Sequence, residues 1–181
     1  MSQTYRRALV GMMLGILLVS GQAIGAEGRA GPTVSAPVLG MPPISLNSPL
    51  YVVDVQPGVT PEQIKIAIQT AAEGENMNLV GTLNIQRGLQ QRGIKSKDTY
   101  VIYEVCNLVL GAKILAGTPE FGAFAPCKIV LFETKGKLKL MTYLPTYALK
   151  YFPKTAEAQK VAQELDKQII HIMKQAATGG F

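Results

Sequence analysis

Residues 154–176 carry the strongest periodicity in the chain. At 100° per residue, Ala158, Val161, Leu165, Ile169, Ile172 and Ala176 fall on one stripe, while Glu157, Lys160, Glu164, Lys167, His171 and Lys174 lie opposite. This spacing predicts a long one-sided helix. Its apolar stripe needs a second layer to bury against and its charged face needs water, so the rest of the chain has to supply that layer.

The pieces of a sheet are visible upstream. Residues 50–55 form a β-rich run ended by Pro57 and Gly58. Thr60, Pro61 and Gln63 then make a helix start, with Thr as cap, Pro where its missing N–H costs nothing, and Gln at the capping-box position. Ile64, Ala67, Ile68 and Ala71 form its buried stripe, and Gly74 stops it. Residues 77–83 read as a second strand, and Asn84 caps a short helix to Gln91. Residues 99–106 read as a third strand, and Asn107 caps a helix to Leu115. A loop rich in Pro, Gly and Phe leads to Cys127. Two last strands, 128–133 and 138–144, flank Thr134-Lys135-Gly136-Lys137, a hairpin signal. The expectation is an α/β fold in the α+β sense: helices packed on a mixed sheet of about five strands, with a long C-terminal helix, in one domain over residues 50–176. A hydrophobic fraction of 48% is ample for its core.

The N-terminal residues do not belong to that domain. Arg6 and Arg7 precede an apolar or small run from Ala8 to Val19, and small residues follow to Ala26. This is the three-part pattern of a secretory signal peptide over residues 1–26, whose apolar run is too short to cross ~30 Å of hydrocarbon comfortably. The protein is therefore expected to be periplasmic, or held near the membrane if the signal is retained as an anchor. Five of the chain's eleven prolines, Pro32, Pro37, Pro42, Pro43 and Pro49, fall in residues 27–49, which read as a Pro-rich flexible tether. Cleavage after Ala26 removes two arginines and no acid, so the net charge of +6 becomes +4. The remaining charges are scattered, and an exported chain seldom meets nucleic acid, so no nucleic-acid partner is expected.

The residue inventory argues against most catalysis. With His171 the single histidine, a zinc site of the His-Glu-x-x-His type has no ligands to use, and a Cys-x-x-Cys-His haem attachment is missing. Ser96, the one serine after Ser48, sits in the charged turn Lys95-Ser96-Lys97 rather than a nucleophile elbow. No phosphate loop or dinucleotide fingerprint is present. No catalytic residue is therefore assigned. His171 belongs to the polar face of the last helix. Its sharper reading is a haem or metal ligand at a dimer interface, with Met141 or Met173 as second ligand.

Glu104-Val105-Cys106-Asn107, then Ala112-Lys113 and Leu115, then Pro119, Gly122 and Phe124, and Pro126-Cys127-Lys128-Ile129-Val130 resemble the core signature of the domain of unknown function 302 family. The resemblance covers roughly Tyr51 to Tyr143. It implies a compact α/β domain with helices against a mixed sheet, commonly a homodimer, and no established activity.

Within that signature, Cys106 ends a strand beside a helix N-terminus, where free N–H groups lower a thiol pKa; it also suits a small apolar corner. Glu104 shares its strand face by period 2. Cys127 opens the next strand. If the two strands are antiparallel, the thiols lie at one edge and can meet; if parallel, they lie ~20 Å apart. A disulfide and a shared pocket of free thiols both stay open. The candidate binding set is Glu104, Cys106, Asn107, Phe124, Pro126 and Cys127, around a small molecule or cofactor whose identity is open, haem included. Three readings follow: an exported ligand-binding module, probed first; a thiol-redox protein using Cys106 and Cys127; and a structural or assembly dimer.

Overall fold

The structure, a computed structural model, describes residues 49–180. The expected signal peptide and all of the tether but Pro49 lie outside those residues. The described elements form a two-layer fold because the longer helices carry apolar stripes that pack against one face of the sheet. Strand β1 (Leu50–Asp54) leads to α1 (Pro61–Gly74), β2 (Asn78–Asn84), α2 (Ile85–Gln90) and β3 (Tyr100–Cys106). Then come α3 (Leu108–Gly117), a 3-10 turn (Pro119–Phe124), β4 (Cys127–Thr134), β5 (Lys137–Tyr143), α4 (Pro145–Ala148), a second 3-10 turn (Leu149–Tyr151) and α5 (Ala156–Ala177).

Local chemistry accounts for the boundaries. Thr60 caps α1 with both halves of the capping box formed, its hydroxyl accepting from the Gln63 N–H and its own N–H donating to Gln63 Oε1 at 2.8 Å. Asn84, Asn107 and Thr155 cap α2, α3 and α5 with the side-chain oxygen alone, each accepting one N–H of the first turn. Between β4 and β5, Lys135 (φ 51°) and Gly136 (φ 70°) both adopt the left-handed region, as a tight two-residue hairpin turn demands.

The sheet order is β1-β5-β4-β3-β2, and all four pairings are antiparallel, where a mixed sheet was expected. The connection from β3 to β4 is long enough for a parallel crossover as well as an antiparallel return. Here α3 and the 3-10 turn after it return the chain to the edge it left, so Cys127 stands opposite Val105.

One face of the sheet carries the core. Val105, Ile129, Leu131 and Leu140 are fully buried against Ile64 and Ile68 of α1, Ile114 of α3, and Leu165, Ile169 and Ile172 of α5. All six residues of the expected α5 stripe are buried. Across the other face a register row runs through every strand: Val52, Met141, Val130, Ile102 and Leu83. Its first four residues are half-buried and Leu83 is 56% exposed. The short α2 touches β3 but buries none of its own residues. Among the described residues, no helix is long and apolar enough to cross a membrane.

Candidate functional site

Strand alternation decides where the two cysteines go. Directly opposed residues in an antiparallel pair share a face, so Cys127 joins Val105 on the helix side. Cys106, one residue further along β3, turns to the outer face. The antiparallel arrangement thus brings the strand ends together and still separates the thiols. Both cysteines are free, and the expected pair, whether disulfide or shared thiol pocket, does not form. The deciding quantity was a one-residue offset in register, which spacing along the chain does not carry.

The thiols also lack the expected activation. Burial pushes the Cys106 thiol up rather than down. Burial above all, with the neighbouring Cys106 and Asp166 adding, pushes Cys127 up to about 12. The N-terminus of α3 is also partly used: Asn107 Oδ1 accepts from the Leu110 N–H at 3.0 Å, taking one of its free donors. Thiol-redox chemistry by this pair is therefore not supported.

The remaining candidates divide by face. Asn107, 6% exposed, holds α3 to α5, its Nδ2 donating to Gln168 Oε1 at 3.3 Å. Phe124 packs with Phe121, Tyr143 and Phe152 at ring-centroid distances of 5.7 to 6.3 Å, and its carbonyl accepts from the Tyr143 hydroxyl. Pro126 follows a cis peptide bond, and its carbonyl accepts from Lys128 Nζ at 3.2 Å. Asn107, Phe124 and Cys127 thus serve the joint between sheet and helices.

Glu104 and Cys106 share the outer face, as period 2 predicts. Lys128 stands opposite Glu104 in register, so a carboxylate, a thiol and an ammonium group occupy one end of that face. Glu104 lies over Gly81, where a Cβ would collide with Oε2, and β2 bulges between Leu79 and Gly81 at this point. Two surface depressions lie elsewhere. One, of about 640 Å³, sits by Gln56, Pro57 and Lys137; a groove of about 370 Å³ between α1 and the end of α5 includes Thr70, His171 and Gln175.

The metal candidates do not meet within one chain. His171 is 54% exposed on α5, 3.9 Å from Glu75, whereas Met141 is on the outer face of the sheet and Met173 is fully buried. Among the described residues, no group of three or more His, Cys, Asp or Glu could hold a metal ion.

Three residues escaped sequence reasoning. Lys128 needed the register. Asp166 accepts from both the Thr146 N–H at 3.1 Å and its hydroxyl at 2.5 Å, fixing α4 to α5, and burial raises its pKa. Gln168 had a visible signal, a polar residue within the apolar stripe between Leu165 and Ile172.

The comparisons with known proteins agree with this architecture. An uncharacterized protein of Aquifex aeolicus is 35% identical over 127 residues, covering 68% of this chain and 81% of its own. The solved structure of an uncharacterized conserved DUF302 protein from Bacillus stearothermophilus superposes with a TM-score of 0.63 at 23% identity, covering 70% of this chain and 97% of that one. The family described as domain of unknown function DUF302 matches residues 51–176, the whole sheet but for Leu50 and all but the last residue of α5, and the chain belongs to that family.

Proposed function

We propose that this chain is an exported, non-catalytic binding module that holds a small ligand at the Cys106 end of the outer sheet face and works as a homodimer. The observation that carries this reading is the grouping of Glu104, Cys106 and Lys128 on one face beside the apolar row. A carboxylate and an ammonium supply acceptors and donors for a polar head group, and the row supplies an apolar floor. The thiol, held protonated by burial, acts as a weak donor rather than a nucleophile. Export is supported by Arg6 and Arg7, the apolar run after them and the small residues before Glu27.

Native mass spectrometry of the protein purified from its host tests the ligand. The expected result is a bound small molecule that is lost in Lys128→Ala and Glu104→Gln while the unfolding midpoint holds. A chain that emerges empty, with Cys106 alkylating at the same rate in the lysate and after purification, overturns the reading.

The assembly reading has an observation of its own. The edge strand β2 carries no charge in Asn78–Asn84, and Val80 and Leu83 are 53% and 56% exposed. Edge strands commonly carry lysine or proline against pairing. Two copies joined along β2 would extend the sheet. Sedimentation should show a dimer that Leu83→Lys dissociates; a monomer at all concentrations removes this reading.

A further inference from the structure

The depression of about 640 Å³ beside Gln56, Pro57 and Lys137 lies at the hairpin end of the sheet. Lys139 stands opposite Phe132 in register, and Phe132 stands opposite Tyr100, so this end is six residues of β3, roughly 20 Å, from Cys106. We infer that it is a separate binding site, for a small soluble anion that joins a carboxylate or phosphate head to an apolar body. This goes beyond the ligand reading at the Cys106 end and does not depend on it.

The placement of lysines points to an anion. Lysines near a sheet edge commonly guard it against pairing. Here the edges are β1 and β2, and neither Leu50–Asp54 nor Asn78–Asn84 contains a lysine. Lys137 and Lys139 belong instead to β5, which lies between β1 and β4, so edge protection does not account for them. Both line the depression. Two residues apart on one strand, they share a face with their Cβ atoms roughly 7 Å apart. Asp54 is the one acid in the lining, and it pairs with Lys139. Among the described residues, Lys137 has no ion-pair partner.

An oxyanion that accepts from an ammonium on each side at about 2.8 Å bridges most of that spacing, and the flexible lysine stems close the rest. It also relieves the repulsion between two like charges on one face. Asp54 does not block it. Its side chain is 75% exposed, where an ion pair is weak, so it yields Lys139 to an anion held by both lysines.

The opposite wall is apolar and held in place. Val55, Val59 and Leu138 line the depression and also pack against the core. The Val55 N–H donates to the Leu138 carbonyl at 3.0 Å, the Gln56 N–H to the Ala177 carbonyl at 2.8 Å, and the Val59 N–H to the Gln56 carbonyl at 3.3 Å. The wall is therefore fixed before a ligand arrives. Ammonium groups on one side and fixed apolar surface on the other suit an amphiphilic anion better than an inorganic one. The volume also falls within the range of small-molecule sites, roughly 300 to 1,000 Å³.

Titration of the full chain with hexanoate, followed through glycine amide signals in NMR, tests the inference. Gly58 and Gly136 line the depression, whereas Gly81 lies under Glu104 and reports on the Cys106 end. Hexanoate should move the Gly58 and Gly136 signals saturably and leave Gly81 in place. Lys137→Gln should weaken this binding about tenfold, and Asp54→Asn should tighten it about twofold, since Lys139 is then free. No saturable movement of Gly58 and Gly136, or an affinity unchanged in Lys137→Gln, overturns the inference. So does inorganic phosphate binding as tightly as hexanoate, which leaves the apolar wall without a part. Movement of Gly81 alone assigns the anion to the Cys106 end and overturns this inference while sparing the ligand reading. Cosedimentation with phosphatidylglycerol vesicles that is lost in Lys137→Gln, with hexanoate leaving Gly58 unmoved, assigns the lysines to a lipid surface and overturns it as well.

Discussion

The two faces of the sheet use the same residue types to different ends. On the helix side, Val105, Ile129, Leu131 and Leu140 are fully buried, and the polar groups among them are matched: Asn107 with Gln168, Thr142 with the Lys128 carbonyl at 2.6 Å, Asp166 with Thr146. Among the described residues, no buried side-chain nitrogen or oxygen lacks a partner. On the outer side the apolar row is half-exposed, and the ionisable residues Glu104, Cys106 and Lys128 stand beside it. Burial is concentrated where α5 lies, and the face that α5 does not reach is the one to which we assign recognition.

The largest effect expected from that difference is on truncation of apolar side chains. Leu165→Ala, at 3% exposure in the centre of the α5 stripe, should cost about 2 to 5 kcal/mol. Val130→Ala on the outer face should cost about 1 kcal/mol or less, since much of its area is already in water. Urea unfolding of both variants checks the contrast. Equal losses would mean that the outer face is as much a core as the inner one.

The polar joint comes next. Asn107→Ala removes a helix cap and leaves Gln168, 8% exposed, without its donor, at a cost of about 1 to 3 kcal/mol. The loss in Gln168→Ala should be partly shared with it in a double-mutant cycle. Additive losses would show that the two side chains do not act together.

Between the two cysteines the comparison narrows to one atom. Cys127→Ala on the core face should cost about 1 kcal/mol, and Cys106→Ala on the outer face about half that or less. In the native protein an alkylating reagent should reach Cys106 slowly, and Cys127 only on unfolding. Rapid labelling of Cys127 at neutral pH would contradict both its burial and a pKa pushed up to about 12.

Much of the fold was legible because its signals are local. Thr60, Asn84 and Asn107 cap the helices they were expected to cap, Lys135 and Gly136 turn the hairpin, and the α5 stripe is buried residue for residue. Family membership was legible for a related reason, since Cys106-Asn107 and Pro126-Cys127 sit at the close-packed corners where β3 enters α3 and the chain enters β4. What was not legible depends on distance in the chain. The antiparallel return of β4 follows from how α3 and the 3-10 turn fold back, and the separation of the cysteines follows from its register. The joint from Asn107 to Gln168 spans 61 residues, and that from Thr146 to Asp166 connects a four-residue helix that has no periodicity of its own.

The smallest expected effect concerns pH and returns to the core face. Burial raises the Asp166 pKa above the ordinary carboxylate value of 3.8, although the two Thr146 hydrogen bonds pull it the other way. The folded state therefore favours the protonated acid. A group raised in this way contributes stability that is present below the unfolded value and lost as pH rises through the folded one. Removing the charge while keeping an oxygen for Thr146 should cancel that loss. Asp166→Asn should lie below or level with the unchanged chain at acid pH and gain on it as pH rises into the neutral range, by a small margin because the carboxylate is only partly buried. The reverse trend, with Asp166→Asn losing ground as pH rises, would mean that the ionised carboxylate is the form the fold prefers and that its bonds to Thr146 outweigh its burial. Unfolding midpoints of the two chains, measured side by side from pH 3 to pH 7, decide between them.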